Sequence, residues 1–76
     1  MNKEKRKELQ KASALLEQAK EIIENVKESE QDGFDNLSEG LQATENGQKM
    51  EEYVDSMDSI VSNIDEMISD IETVCE

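Results

Sequence analysis

MEEYVDSMDSIVSNIDEMISDIETVCE, residues 50–76, decides the fold. With Met50 at position a of a heptad, a is Met50, Met57, Ile64 and Ile71, and d is Tyr53, Ile60, Met67 and Val74. Position e is Val54, Val61, Ile68 and Cys75. Apart from the tyrosine hydroxyl, no polar group enters these rows. Apolar residues recurring at helical spacing over so long a stretch predict an amphipathic helix, not a disordered acidic tail. The segment has nine carboxylates and no lysine or arginine, and position b is acidic throughout: Glu51, Asp58, Asp65 and Glu72.

Upstream, a second apolar pattern predicts a first helix over about 3–31. Leu9, Leu16 and Ile23 repeat every seven residues, with Ala12, Ala19 and Val26 as a second row and Leu15 and Ile22 as a third. The opposite face is assigned Lys11, Glu17, Lys20, Glu21, Glu24, Lys27 and Glu28. All three glycines fall between the two patterns, in DGFDNLSEGLQATENG, residues 32–47. Gly33 is placed to end the first helix as a C′ residue. Phe34, Leu37 and Leu41 predict a short helical turn over 36–43, inside a linker of 32–44, that plugs the closed end. Thr44 is the expected N-cap of the second helix, about 45–75, with Glu45 favourable at its positive end.

The expected fold is therefore all-α: one domain, an antiparallel coiled-coil-like hairpin of two helices. Each helix carries three apolar rows per heptad, as bundle helices do. A lone hairpin leaves one row per helix in water. For the second helix that row is taken as Val54, Val61 and Ile68, and two hairpins joining along it into a four-helix bundle would bury it. A homodimer is the expected state; a monomer capped by its linker and a higher oligomer are the alternatives.

At 76 residues the chain can bury only a modest core. The common staples are missing: there is no histidine, so common zinc patterns are excluded, and a single cysteine cannot form an internal disulfide. Composition also narrows the functional classes. Outward carboxylates on a slim rod, with no histidine and no lysine nearby to part their pKa values, do not suit acid–base catalysis, so no catalytic residues are expected. An EF-hand loop beginning at Asp32 fails, because Phe34 and Leu37 fall where an oxygen ligand and a glycine are required. No metal, cofactor or catalytic role is assigned. Cys75 reads as a small apolar residue in a terminal turn. No apolar run approaches the ~18 residues of a membrane span, and no h-region follows the basic start MNKEKRKELQ, so neither span nor signal peptide is expected. The KEKRK run, residues 3–7, is expected to neutralise Asp70, Glu72 and Glu76 across the closed hairpin.

Net charge is −12 and falls unevenly: +2 over residues 1–27, −5 over 28–49 and −9 over 50–76. Phosphate repels such a chain, so direct nucleic-acid binding is not expected. The second helix instead invites comparison with nucleic acid. Its acids recur about every 4–5 Å of helix, against one charge per roughly 3.4 Å of axis on a DNA strand. The candidate partner-binding residues are Glu51, Glu52, Asp55, Asp58, Asp65, Glu66, Asp70 and Glu72, and the candidate partner is a basic, nucleic-acid-binding host protein for which this face is a decoy. In the alternative, a homo-oligomeric coiled-coil module works through its apolar face and the charge gives only solubility.

The stretch 34–72 also resembles a recurrent set of small acidic helical proteins of bacteriophages and prophages, which share a DNLPEGLQ-like core before an acidic helix. The matching residues are Asp35, Asn36, Leu37, Glu39, Gly40, Leu41 and Gln42, then Thr44, Glu45, Gly47, Met50 and Glu51; Ser38 stands where that core has proline. The resemblance covers about half the chain. It implies a phage or mobile-element origin, the bacterial cytoplasm, and the company of small acidic phage proteins that disable host nucleases or defence complexes.

Overall fold

The computed structural model describes all of residues 1–76 and contains three helices: α1 (Lys3–Asp35), α2 (Glu39–Gln42) and α3 (Glu45–Val74). α1 and α3 pack antiparallel into a rod with extents of 58 × 14 × 13 Å. Two cross-helix ion pairs fix the pairing. Lys20 Nζ lies 2.9 Å from Asp65 Oδ1, and one heptad along, Lys27 Nζ lies 3.0 Å from Asp58 Oδ1.

Each helix begins on a side-chain cap that accepts an otherwise unpaired N–H. Asn2 Oδ1 accepts from the Lys5 amide, Ser38 Oγ from Leu41 and Thr44 Oγ1 from Gly47. Thr44 thus has its expected role. Ser38, where the phage-type core has proline, opens α2 as its N-cap.

α1 is longer than expected. It runs through Gly33 to Asp35, and no glycine has a positive φ. Gly33 is therefore not a C′ residue. Its half-buried Cα instead lies beneath Met50, whose methyl carbon would be 3.2 Å from a Cβ there. Side chains complete the last turn: Gln31 Nε2 donates to Asp35 Oδ1 at 2.9 Å, and Gln42 Nε2 donates to the Phe34 carbonyl at 3.1 Å. The Gln42 bond ties α2 to the end of α1. Phe34 and Leu37 are half-buried at this closed end, but Leu41 is exposed.

Gly47 is buried in the first turn of α3 for a reason the sequence pattern did not reveal. The α2 backbone crosses directly over it, and a Cβ would come within 2.6 Å of the Leu41 carbonyl oxygen and 2.8 Å of the Gln42 carbonyl carbon. Backbone cannot give way as a flexible side chain can, so only glycine allows this approach.

The core is a thin seam. Ile64 and Ile68 are 5% and 9% exposed, and the rest of the seam is half-buried. From α3 it takes row a and row e, Val54, Val61, Ile68 and Cys75 among them; from α1 it takes Leu9, Ala12, Leu16, Ala19 and Ile23. Ala12 and Ala19, half-buried there, are the smallest side chains that α1 contributes.

The two linker glycines should answer differently to the same substitution. Gly47→Ala should destabilise the hairpin by about 2 kcal/mol through forced backbone movement. Gly40→Ala meets nothing within 4 Å and should be neutral or stabilising by about 0.5 kcal/mol. Thermal unfolding of the two variants beside the parent checks this; equal melting temperatures would contradict the crossing of α2 over α3.

Candidate interaction surfaces

The surfaces follow from how the seam rotates each helix. Around α3 the rows run in the order d, a, e, b, at intervals of roughly 40–60°. Burying a and e places d on one flank and b on the other. Around α1 the corresponding order is Leu15–Ile22, then Ala12–Ala19–Val26, then Leu9–Leu16–Ile23, then Ser13–Lys20–Lys27. Because the helices are antiparallel, the lysine row of α1 and the b row of α3 share one flank. The opposite flank therefore receives Leu15 and Ile22 from α1 and row d from α3.

The first flank is polar and paired. Lys20 reaches Asp65 and also lies 3.7 Å from Glu17 and 4.0 Å from Glu24 on its own helix. The hydrogen bond that Lys20 donates to Asp65, with the charges of Asp65, Glu17 and Glu24 added, holds the Lys20 ammonium above its ordinary value of 10.5 against the opposing effect of burial. Lys20 and Lys27 thus lie at the seam edge and not on the outer face expected for them.

The other flank is apolar and open. Leu15 is 65% exposed, Ile22 64%, Tyr53 55% and Ile60 44%; Val26, Met67 and Val74 are similarly open. This corrects the assignment of the free row. Val54 and Val61 are half-buried and Ile68 is buried, all within the hairpin, so the row left in water is d and not e. The expectation took a and d as the seam, as a symmetric coiled coil would; the lysines of α1 instead draw the b-row aspartates inward and rotate α3 by one row.

The acidic face is the back of α3. Of the eight candidate residues, Asp58 and Asp65 are held by Lys27 and Lys20. Glu51, Glu52, Asp55, Glu66, Asp70 and Glu72 are exposed and form no ion pair. The acids fall in two groups, 51–58 and 65–72, separated by the uncharged SIVSNI at 59–64, which is about 10 Å of helix.

At the open end, an Arg6 guanidinium nitrogen donates to the Glu76 carbonyl at 3.4 Å, and Cys75 Sγ lies 4.0 Å from the Arg6 carbonyl oxygen. The basic start of α1 does lie beside the end of α3. It makes no ion pair with Asp70, Glu72 or Glu76; Lys11 pairs with Glu8 on its own helix at 3.2 Å. Cys75 is half-buried, as a small seam residue. No group of three or more Cys, Asp or Glu is placed to hold a metal ion, and no helix is long and apolar enough to cross a membrane. The largest surface hollow lies along the first two turns of α1, around Met1 and Leu9, away from the acidic face.

Comparison with models of protein families, with curated proteins and with solved structures finds no match to this chain.

The Lys20 cluster gives a pH signature. A lysine whose pKa is raised by folding adds stability that is fully present below its unfolded value of 10.5. That stability is lost as pH climbs through the higher folded value. The stability difference between the parent and Lys20→Met should therefore be constant from pH 7 to 9 and shrink above about pH 10.5. Chemical denaturation at stepped pH measures it; a difference that grew with alkalinity would contradict the Lys20–Asp65 pairing.

Proposed function

We propose that this chain is a non-enzymatic, phage-type accessory protein. It binds, and by binding inhibits, a basic nucleic-acid-handling or defence protein of a bacterial host, in the host cytoplasm. The observation that carries this reading is the back of α3: six exposed carboxylates with no ion pair, on a helix without a basic residue after Lys49. α1 pairs with Asp58 and Asp65 and leaves those six acids unneutralised. They average about 6 Å apart along the helix, sparser than the roughly 3.4 Å of a phosphate strand, and form two anionic clusters, 51–55 and 66–72, for a basic groove to engage as a decoy. Fixed charges on a rigid helix need little ordering on contact, which favours association with a cationic cleft.

A second reading is favoured by the open apolar flank. Here the chain is a homodimeric four-helix module, and its working surface is the exposed pair of apolar rows. The two readings are compatible, because five of the six free acids lie away from the apolar rows and only Asp70 stands at their edge.

The acidic reading is tested by capture from a bacterial lysate on the immobilised protein at low salt. A basic nucleic-acid-binding protein should be retained and should elute with excess duplex DNA or with about 0.5 M salt, where screening is strong. Glu52→Lys with Glu66→Lys should abolish retention and leave helicity unchanged, since neither residue touches the seam. Retention by that charge-reversed variant, or a partner that resists both DNA and salt, would overturn the decoy reading.

A further inference from the structure

We infer that the open apolar flank is covered by a second copy of this chain, in a bundle where α1 of each protomer lies against α3 of the other and both closed ends sit together. The surface is Leu15, Ile22 and Val26 of α1 with Tyr53, Ile60 and Met67 of α3, not the Val54–Val61–Ile68 row. This inference rests on the homodimer reading and goes beyond it in naming the face and the arrangement.

Three observations select a second copy as the occupant. The first is where charge is missing. In a chain that is 37% charged, the positions just outside the two apolar rows are Gln18, Asn25, Ser56 and Asn63 along the middle of the rod. The strongest obstacle to self-association at −12 per chain is like-charge repulsion, and this side is where carboxylates are fewest. A basic partner would instead be drawn to the acids on the back of α3. Interface centres are depleted of charge in the same way.

The second is extent. The exposed apolar side chains form a continuous strip, from Tyr53 to Val74 over about 30 Å of α3 and from Leu15 to Val26 over about 16 Å of α1, at 1.5 Å per residue. The third is complementarity at the ends. The same flanking rows carry Lys11 and Asp32 on α1, and Lys49 and Asp70 on α3. With α1 set against the partner's α3 and the closed ends together, Lys11 meets Asp70 of the partner subunit and Asp32 meets Lys49 of the partner subunit. Reversing one hairpin end for end also pairs these charges, but it sets α3 against α3, the two most acidic helices side by side. Charge therefore selects the first arrangement, in which all neighbouring helices are antiparallel and the two α3 helices are diagonal.

Sedimentation equilibrium and a spin-label distance test both parts. The full chain should show a monomer–dimer equilibrium, and Ile22→Asp with Ile60→Asp should weaken it roughly 100-fold, as a charge forced into an apolar interface does. That variant should keep its helical circular dichroism, because neither residue is in the hairpin seam. For the arrangement, a nitroxide on Gly40→Cys in a Cys75→Ser background reads the separation of the closed ends, at a site with open space around it. Closed ends together give a distance within about 35 Å, a few helix diameters; the reversed pairing puts them about 58 Å apart, the length of the rod. A chain that stays monomeric up to about 0.5 mM, roughly −4.5 kcal/mol of association, would overturn both the homodimer reading and this inference. A dimer that survives the Ile22/Ile60 variant, or one with the long distance, would overturn the inference and leave the homodimer reading standing.

Discussion

One neighbouring helix covers about two apolar rows, and α3 has three. The rest of the molecule depends on how this mismatch is resolved. Rows a and e turn inward against α1, and Ile64 and Ile68 become the most buried side chains. Row d is left beside the seam, and on α1 Leu15 and Ile22 are left on the same side. The hairpin is thus two-sided by construction: one flank is closed by charge and the other is apolar and open.

The hydrophobic effect alone does not choose between rows d and e. Val54, Val61, Ile68 and Cys75 offer no more apolar surface than Tyr53, Ile60, Met67 and Val74, and a few CH₂ groups either way amount to about 1–2 kcal/mol. Ion pairs as exposed as Lys20–Asp65 and Lys27–Asp58 are individually weak. They add little to the whole fold but enough to tip a near-balanced choice, because both pairs bias the rotation of α3 in the same direction.

Much of this was legible in the sequence. Heptad rows in residues 50–76 and 9–26 gave two helices, and Thr44 gave the start of the second. The rotation of the seam was also written there, in a signal that an a/d template passes over. Lys20 and Lys27 are seven residues apart, as are Asp58 and Asp65, and in an antiparallel pair both couples meet at the same register. Gly33 and Gly47 were harder. A glycine near a helix end reads as a terminator, whereas α1 continues through Gly33 because Gln31, Asp35 and Gln42 complete its last turn. Gly47 is required by a backbone crossing between segments that no local pattern reveals. The candidate acids were correctly placed on the outside as a group, but the two nearest the seam are engaged by lysines, which only the pairing of the helices could show.

The acidic back of α3 and the open apolar flank both follow from the same inward turn of rows a and e, so that rotation is the claim to test first. Six isoleucines report on it, two of them in each class of environment: Ile64 and Ile68 buried, Ile23 and Ile71 half-buried, Ile22 and Ile60 exposed. Methyl NMR with an inert soluble paramagnet, on a sample dilute enough to be monomeric, reads each one directly. The account predicts weak relaxation at Ile64 and Ile68 and strong relaxation at Ile22 and Ile60. Strong relaxation at Ile68 with Ile60 protected would mean that rows a and d form the seam, and would contradict the account.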